Sequence, residues 1–163
     1  MTVYPLNLSI IIPLLNEAGN LPELIAHIVR LDPAPQQVIL VDGGSVDGSV
    51  ATVGRAQQMN AGAMLATGDV LLFLHADTEL PADAIDNIRQ AVAQYDWGRF
   101  DVGLDSREPL LKIVGLMINQ RSRLMSIATG DQAIFIKKSV FEQIGGYPDQ
   151  PLMEDIELCK RLK

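Results

Sequence analysis

The chain has 163 residues, of which 48% are apolar and 20% charged, the balance of one globular domain with a proper core rather than a disordered polymer. A formal charge of −7 with no basic run excludes a protein that neutralises a nucleic-acid backbone. Cys159 has no second cysteine to pair with, no apolar stretch reaches the roughly 20 residues of a membrane span, and Met1–Pro5 lacks a signal peptide's basic start, so a cytoplasmic protein is expected.

Taken in order, Leu8–Pro13 is a short apolar strand that Pro13 ends, followed by the loop Leu-Leu-Asn-Glu. Asn20 is expected to cap a helix, with Glu23 in capping-box position. Leu21, Leu24, Ile25, Ile28 and Val29 recur at helical spacing and predict one apolar stripe against a sheet. After Asp32-Pro-Ala-Pro, the run Val38–Val41 reads as a strand buried on both faces, the habit of a parallel sheet covered by helices. Strand, helix, strand with short links implies a right-handed parallel unit.

That second strand runs into Asp42-Gly-Gly-Ser-Val-Asp-Gly-Ser49. In open α/β sheets ligands bind at the C-terminal strand edge. Asp42 and Asp47 can accept hydrogen bonds from a base or ribose there, and Gly43 and Gly44 let the backbone approach closely. Taken alone, the stretch is equally a strand, a turn and an N-capped helix.

Ser49–Val53 resembles a first helical turn, and Arg55–Ala66 a helix with Gly62 inside it. Val70–Leu74 is another apolar strand, ending in His75-Ala-Asp-Thr78, and Pro81 opens a helix with Ile85, Ile88 and Val92 inward. Alternation from Phe100 to Leu104 predicts a strand with one exposed face. Leu110–Ile127 is a long apolar helix or helix pair, for which core packing is preferred over a seat near a lipid surface. Ala133–Ile136 is a strand, Ser139–Ile144 a short helix, and Met153–Lys163 a helix opening with Glu154-Asp155.

Acidic residues thus fall at three element ends: Asp42 and Asp47, Asp77, and Glu154 with Asp155. With Ile12–Glu17 (Ile-Pro-Leu-Leu-Asn-Glu), Gln58–Asn60, His75–Thr78, Gly130–Gln132 and Met153–Leu158, they make the chain resemble the family 2 glycosyltransferases, in particular a bacterial subgroup carrying those strings. The resemblance implies a GT-A fold, a Rossmann-like three-layer α/β/α architecture with a mostly parallel central sheet. It implies an inverting transfer of a sugar from a nucleotide diphosphate donor, UDP by preference, to an acceptor hydroxyl on a glycan, lipid or small molecule. No nucleic-acid partner is implied, and a peripheral contact at the inner face of the plasma membrane is compatible with it.

By the same resemblance Asp155 is the general base and Glu154 orients the acceptor, a helix N-terminus keeping Asp155 ionised. Asp77 is the ligand of a divalent cation, Mn²⁺ or Mg²⁺, that offsets the charge of the leaving diphosphate. Asp42 grips the base, with Pro13, Asn16, Glu17, Gly43, Gly44, Ser45, Asp47, Arg55, Gln58, Asn60 and Ala76 completing the nucleotide site. Gly130, Asp131 and Gln132 form an acceptor-side loop. His75 stands where relatives carry an aspartate; sugar contact, contact with a metal-bound water and a structural role stay open.

Relatives usually carry a further short strand between the segments represented by Ser49–Val53 and Gly54–Asn60, so residues are expected to be missing at Val53–Gly54. A C-terminal segment beyond Lys163 is expected to be missing too. A non-catalytic nucleotide-sugar binding module is the first alternative. A sugar nucleotidyltransferase is disfavoured because Leu-Leu-Asn-Glu is neither Gly-rich nor basic, and a Rossmann dehydrogenase because Asp-Gly-Gly-Ser is not its fingerprint.

Overall fold

A computed structural model of the chain describes residues 6–45, 54–103, 109–150 and 152–163. Three parallel strands form its centre: β1 (Leu8–Leu14) lies between β2 (Gln37–Asp42) and β3 (Val70–Phe73). Two antiparallel strands, β5 (Ile134–Lys137) beside β3 and the two-residue β4 (Trp97–Gly98) outside it, complete the order β2-β1-β3-β5-β4. Helices cover both faces, which is the expected three-layer, mostly parallel α/β architecture.

The layers follow from the alternation of side chains along the strands. Ile10 and Ile12 of β1, with Leu72 of β3, point to the face covered by α1 (Leu21–Val29) and α3 (Ala84–Val92), where Leu24, Ile85 and Ile88 bury. Ile11, Leu71, Phe73 and Ile134 point to the opposite face, beneath α2 (Arg55–Leu65), α5 (Lys138–Gln143) and α6 (Glu154–Arg161). The remaining helix, α4 (Pro109–Met125), precedes β5. Gly62 lets α2 lie close on the sheet, for a Cβ there would fall 2.5 Å from Ile11 Cγ2.

Several expectations change. Pro13 does not end its strand: β1 continues to Leu14, pairing Pro13 with Val41. β2 is not buried on both faces. Val38 and Leu40 are exposed, as are Ile25 and Val29 of α1, because among the described residues β2 pairs only with β1 and no element covers this corner. Asn20 makes no side-chain cap, its amide being turned to Glu17 instead. The predicted strand from Phe100 reduces to Trp97–Gly98, since Phe100 N–H is drawn to Gln132 O at 2.7 Å. The reading of Leu110–Ile127 as a core helix fails, most of its apolar residues being exposed. Asp47 and the Val53–Gly54 junction lie outside the described residues.

Sheet direction decides where a site can form. β2 and β3 flank β1 on opposite sides, and the connecting helices α1 and α2 lie on opposite faces, so the strand order switches at β1 and opens a crevice beyond the C-terminal ends. β5 runs the other way and pairs Ile134 with Phe73, which brings the turn before β5 to that same edge.

Candidate active site

The donor side is built where β1 and β2 end together, Leu14 beside Asp42. Gly43 N–H donates to Leu14 O at 2.7 Å, and Gly44 turns the chain through φ +103°, the left-handed region open to glycine. Ser45 is buried at the junction. Its hydroxyl donates to Asp42 Oδ1 at 2.6 Å, its N–H points to the same oxygen at 3.3 Å, and its Oγ accepts Asn16 N–H at 2.8 Å. Asn16 adopts φ +58° to make that contact. Asp42 is therefore held in a fixed orientation at the crevice, while Glu17, partly buried, accepts the Asn20 amide at 2.6 Å.

Gln58 and Asn60 bond to backbone. Buried Gln58 donates through Nε2 to Leu14 O and to Val41 O, both at 2.8 Å, and so ties the ends of β1 and β2 together from below. A Cβ on Gly43 would stand 2.4 Å from that amide. Asn60 spends both ends of its amide on Tyr147, donating to its carbonyl and accepting its N–H at 2.9 Å each. Both side chains thus spend hydrogen bonds on backbone and brace the ends of β1, β2 and the turn at Tyr147.

The exit of β3 carries His75, half-buried Ala76 and exposed Asp77. Asp77, Asn20, Glu23, His27 and Glu79 line a groove beside it. Among the described residues no three His, Cys, Asp or Glu side chains gather to hold a metal ion by themselves. Asp77 alone offers one open carboxylate, which fits a hard cation that takes its other ligands from phosphate oxygens and water.

The acceptor side comes from the turn Gly130–Gln132 and the start of α6. Asp155 is buried, and its Oδ2 accepts Gly130 N–H at 2.9 Å while its Oδ1 is buried with no hydrogen-bond partner. Burial, then the neighbouring Glu154, push its pKa up to about 6, against the pull of Gly130 N–H and Arg55. The expected stabilisation of the ionised form by the helix end is thus outweighed. Glu154 is buried too, with Arg55 Nη1 3.8 Å from its Oε1.

His75 lies against Gly130: a Cβ there would fall 2.2 Å from Nε2. His75 Nδ1 is 3.4 Å from Oδ1 of exposed Asp131, and Nε2 is buried without a hydrogen-bond partner. Burial and Arg55 hold its pKa below that of an ordinary imidazole, so it is neutral near pH 7. Gln132, expected to meet acceptor, is wholly buried; its Oε1 accepts Ser122 Oγ at 2.8 Å and Thr129 N–H at 3.2 Å. Ser122 and Asn119 of α4, which brace this turn, were not singled out from sequence; the signal was a small-polar face, Gly115, Asn119 and Ser122, on an otherwise apolar helix.

The site thus brings Asp42, Ser45, Asn16, Arg55, His75, Asp77, Asp131, Glu154 and Asp155 to one sheet edge. Residues 9–53 match the family model described as glycosyl transferase family 2. A PGL/p-HBAD biosynthesis glycosyltransferase of Mycobacterium tuberculosis is 31% identical, with 85% of this chain and 62% of that protein covered. The chain is similar to family 2 glycosyltransferases. An undecaprenyl-phosphate 4-deoxy-4-formamido-L-arabinose transferase of Sodalis glossinidius is 33% identical over 54% of this chain and 34% of its own length. A mannosyltransferase of Pyrobaculum calidifontis, in complex with GDP-Man and Mn²⁺, superimposes with TM-score 0.73 at 22% identity over 96% of this chain and 51% of its own. The fold is therefore GT-A. The chain spans about three fifths of the mycobacterial glycosyltransferase and about a third of the Sodalis one.

Proposed function

We propose that this GT-A chain transfers a sugar from a nucleotide diphosphate donor to an acceptor hydroxyl with inversion at the anomeric carbon. The observation that carries the reading is Asp155: a buried carboxylate with one oxygen fixed by Gly130 N–H, the other unpartnered, and a pKa of about 6. A general base working near neutral pH needs that combination of fixed geometry and raised pKa.

In this reading the acceptor hydroxyl gives its proton to Asp155 as its oxygen bonds the anomeric carbon, and the bond to the diphosphate breaks with its electron pair on the leaving nucleotide. Asp42, braced by Ser45, holds the base or ribose, and neutral His75 with Asp131 faces the sugar or acceptor. Gln58 and Asn60 support the pocket walls. Asp77 would hold a Mn²⁺ or Mg²⁺ ion, which when bound offsets diphosphate charge. The mannosyltransferase of like fold is in complex with GDP-Man and Mn²⁺, which favours a nucleotide-sugar donor, and the Sodalis relative is named for a lipid phosphate, which favours a lipid-linked acceptor.

The test pairs binding with transfer. Thermal shift against nucleoside diphosphates and their sugars, with and without Mn²⁺, identifies the donor, and Asp155→Asn should keep that shift while losing transfer by two orders of magnitude or more, roughly the worth of a positioned base. Proton NMR of the first product reports the anomeric outcome. Unchanged transfer by Asp155→Asn, or a retained configuration, overturns the mechanism. Donor binding without transfer or hydrolysis in the parent chain would leave a nucleotide-sugar binding module.

A further inference from the structure

Helix α4 is built inside out. The side it turns to the protein is small and polar: Gly115 and Ser122 are buried and Asn119 partly so, at spacing i, i+4, i+7. Ser122 and Asn119 spend their polar atoms on Gln132 and on the Val102 backbone. The side it turns outward is apolar, with Leu110, Ile113, Leu116, Met117 and Leu124 recurring along one face, Leu110 68% exposed and Leu124 83%. A helix normally buries such a stripe in its own domain, yet here the polar face does the internal docking. Seventeen residues make a rod about 25 Å long, and the outward apolar residues cluster from Leu110 to Met117, with exposed Gln120 and Arg121 set between them and Leu124.

Charge selects the occupant. α4 contains no aspartate or glutamate; Lys112 and Arg123 border the apolar residues on one side, Arg123 paired with exposed Asp101, and Arg121 lies among them, between Met117 and Met125. Lys112 and Arg121 have no ion-pair partner among the described residues, and Lys163 reaches the end of the helix, donating to Met125 O at 2.5 Å. Two copies pairing through this strip would oppose cation to cation with no carboxylate on either helix. An anionic lipid surface satisfies both features, apolar side chains entering the acyl boundary and Lys/Arg heads meeting phosphates. In a molecule of net charge −7, α4 carries lysine and arginine and no carboxylate of its own, the sign such a surface attracts.

We propose that the outward face of α4 seats the protein on an anionic bilayer. The seat stands on α4 alone; its bearing on the site rests on the transferase reading. Ser122 bonds Gln132 in the turn whose Gly130 holds Asp155, so a bilayer under α4 lies on the acceptor side, where a lipid-linked acceptor would present its head group.

The test is co-sedimentation of the full chain with vesicles of phosphatidylcholine alone and of phosphatidylcholine with phosphatidylglycerol, at low and high salt. Binding is expected only to the anionic vesicles, falling with salt. Leu116→Asp/Met117→Asp should abolish it, and Arg121→Gln should weaken it about fivefold, the effect of one cation near such a surface. These side chains point outward, so the fold should persist, checked by circular dichroism and by nucleotide-induced thermal shift without vesicles, which also reports on the transferase reading separately. No binding to anionic vesicles overturns the proposal. So does equal binding to both lipids, or a dimer in light scattering that the double variant dissolves while vesicles go unbound.

Discussion

Asp155 concentrates the electrostatics of the site. Its pKa of about 6 predicts a transfer rate that falls on the acid side of that value, because the base must be ionised. The neighbours set the sign of any shift. Glu154 raises the pKa and Arg55 lowers it, so Glu154→Gln should move the acid limb to lower pH and Arg55→Ala to higher pH. A full pH–rate profile checks both. The raised pKa also costs stability. Folding binds a proton that the unfolded chain has released between the ordinary carboxylate value and about 6, so stability falls as pH rises through that window. Asp155→Asn should then unfold at higher denaturant than the parent at pH 8, by on the order of 2 to 3 kcal/mol. The difference should shrink as pH drops toward 4, and urea melts across that range decide it.

At the scale of elements, loops gathered by the sheet edge make the site, and two small features keep them in place. Gln58 fastens β1 to β2 through Leu14 O and Val41 O. Gln58→Leu strips a donor from two strand-end carbonyls and should cost about 1 to 3 kcal/mol of stability. Because the loosened ends carry the donor cradle, it should raise donor KM with little change in kcat, read by steady-state kinetics. Gly130 is the second feature. Gly130→Ala places a methyl in the space of the His75 ring, so the imidazole must move and the Gly130–Asp155 contact with it. Transfer should drop at least tenfold while nucleotide-induced thermal shift survives, an outcome expected when a catalytic geometry is disturbed by a fraction of the 1 Å that can cost 100-fold.

The strands and helices were largely legible because apolar runs and stripes record burial: Ile10 and Ile12, Leu71 and Leu72, Ile85 and Ile88 all went where their spacing said. What spacing could not show was competition for hydrogen bonds. Gln58, Asn60 and Gln132 sit in motifs that read as ligand contacts, and spacing gave no sign of the long-range bonds they make to Leu14, Tyr147 and Ser122. Nor does period distinguish an apolar stripe turned inward from one turned outward, which is why α4 read as core. The small residues opposite the stripe carried that information.

For the molecule as a whole, charge frames the chemistry. On the proposed reading a chain of net −7 takes an anionic nucleotide diphosphate, and Arg55, a cation beside the acids, already faces Glu154. Donor affinity should therefore depend on a divalent ion, falling at least tenfold with EDTA in isothermal titration and returning with Mn²⁺, with Asp77→Ala blocking the return. Cation binding without nucleotide should be weak, since among the described residues no cluster of ligands holds an ion alone.

The reversed direction of β5 has a consequence for how such a protein can change. On the proposed reading the groups that hold nucleotide and cation, between Asn16 and Asp77, precede α3, and Gly130 to Asp155 follow α4, with His75 of the first block turned toward the second. At the site the two blocks meet through His75 with Asp131, Arg55 with Glu154, and Gly130 beneath the imidazole. On that reading nucleotide preference lies largely in the first block and acceptor preference in the second. On that reading a recombination event between α3 and α4 would exchange one specificity and leave the other, provided those contacts, the Asn60–Tyr147 bonds and the β3–β5 pairing were kept.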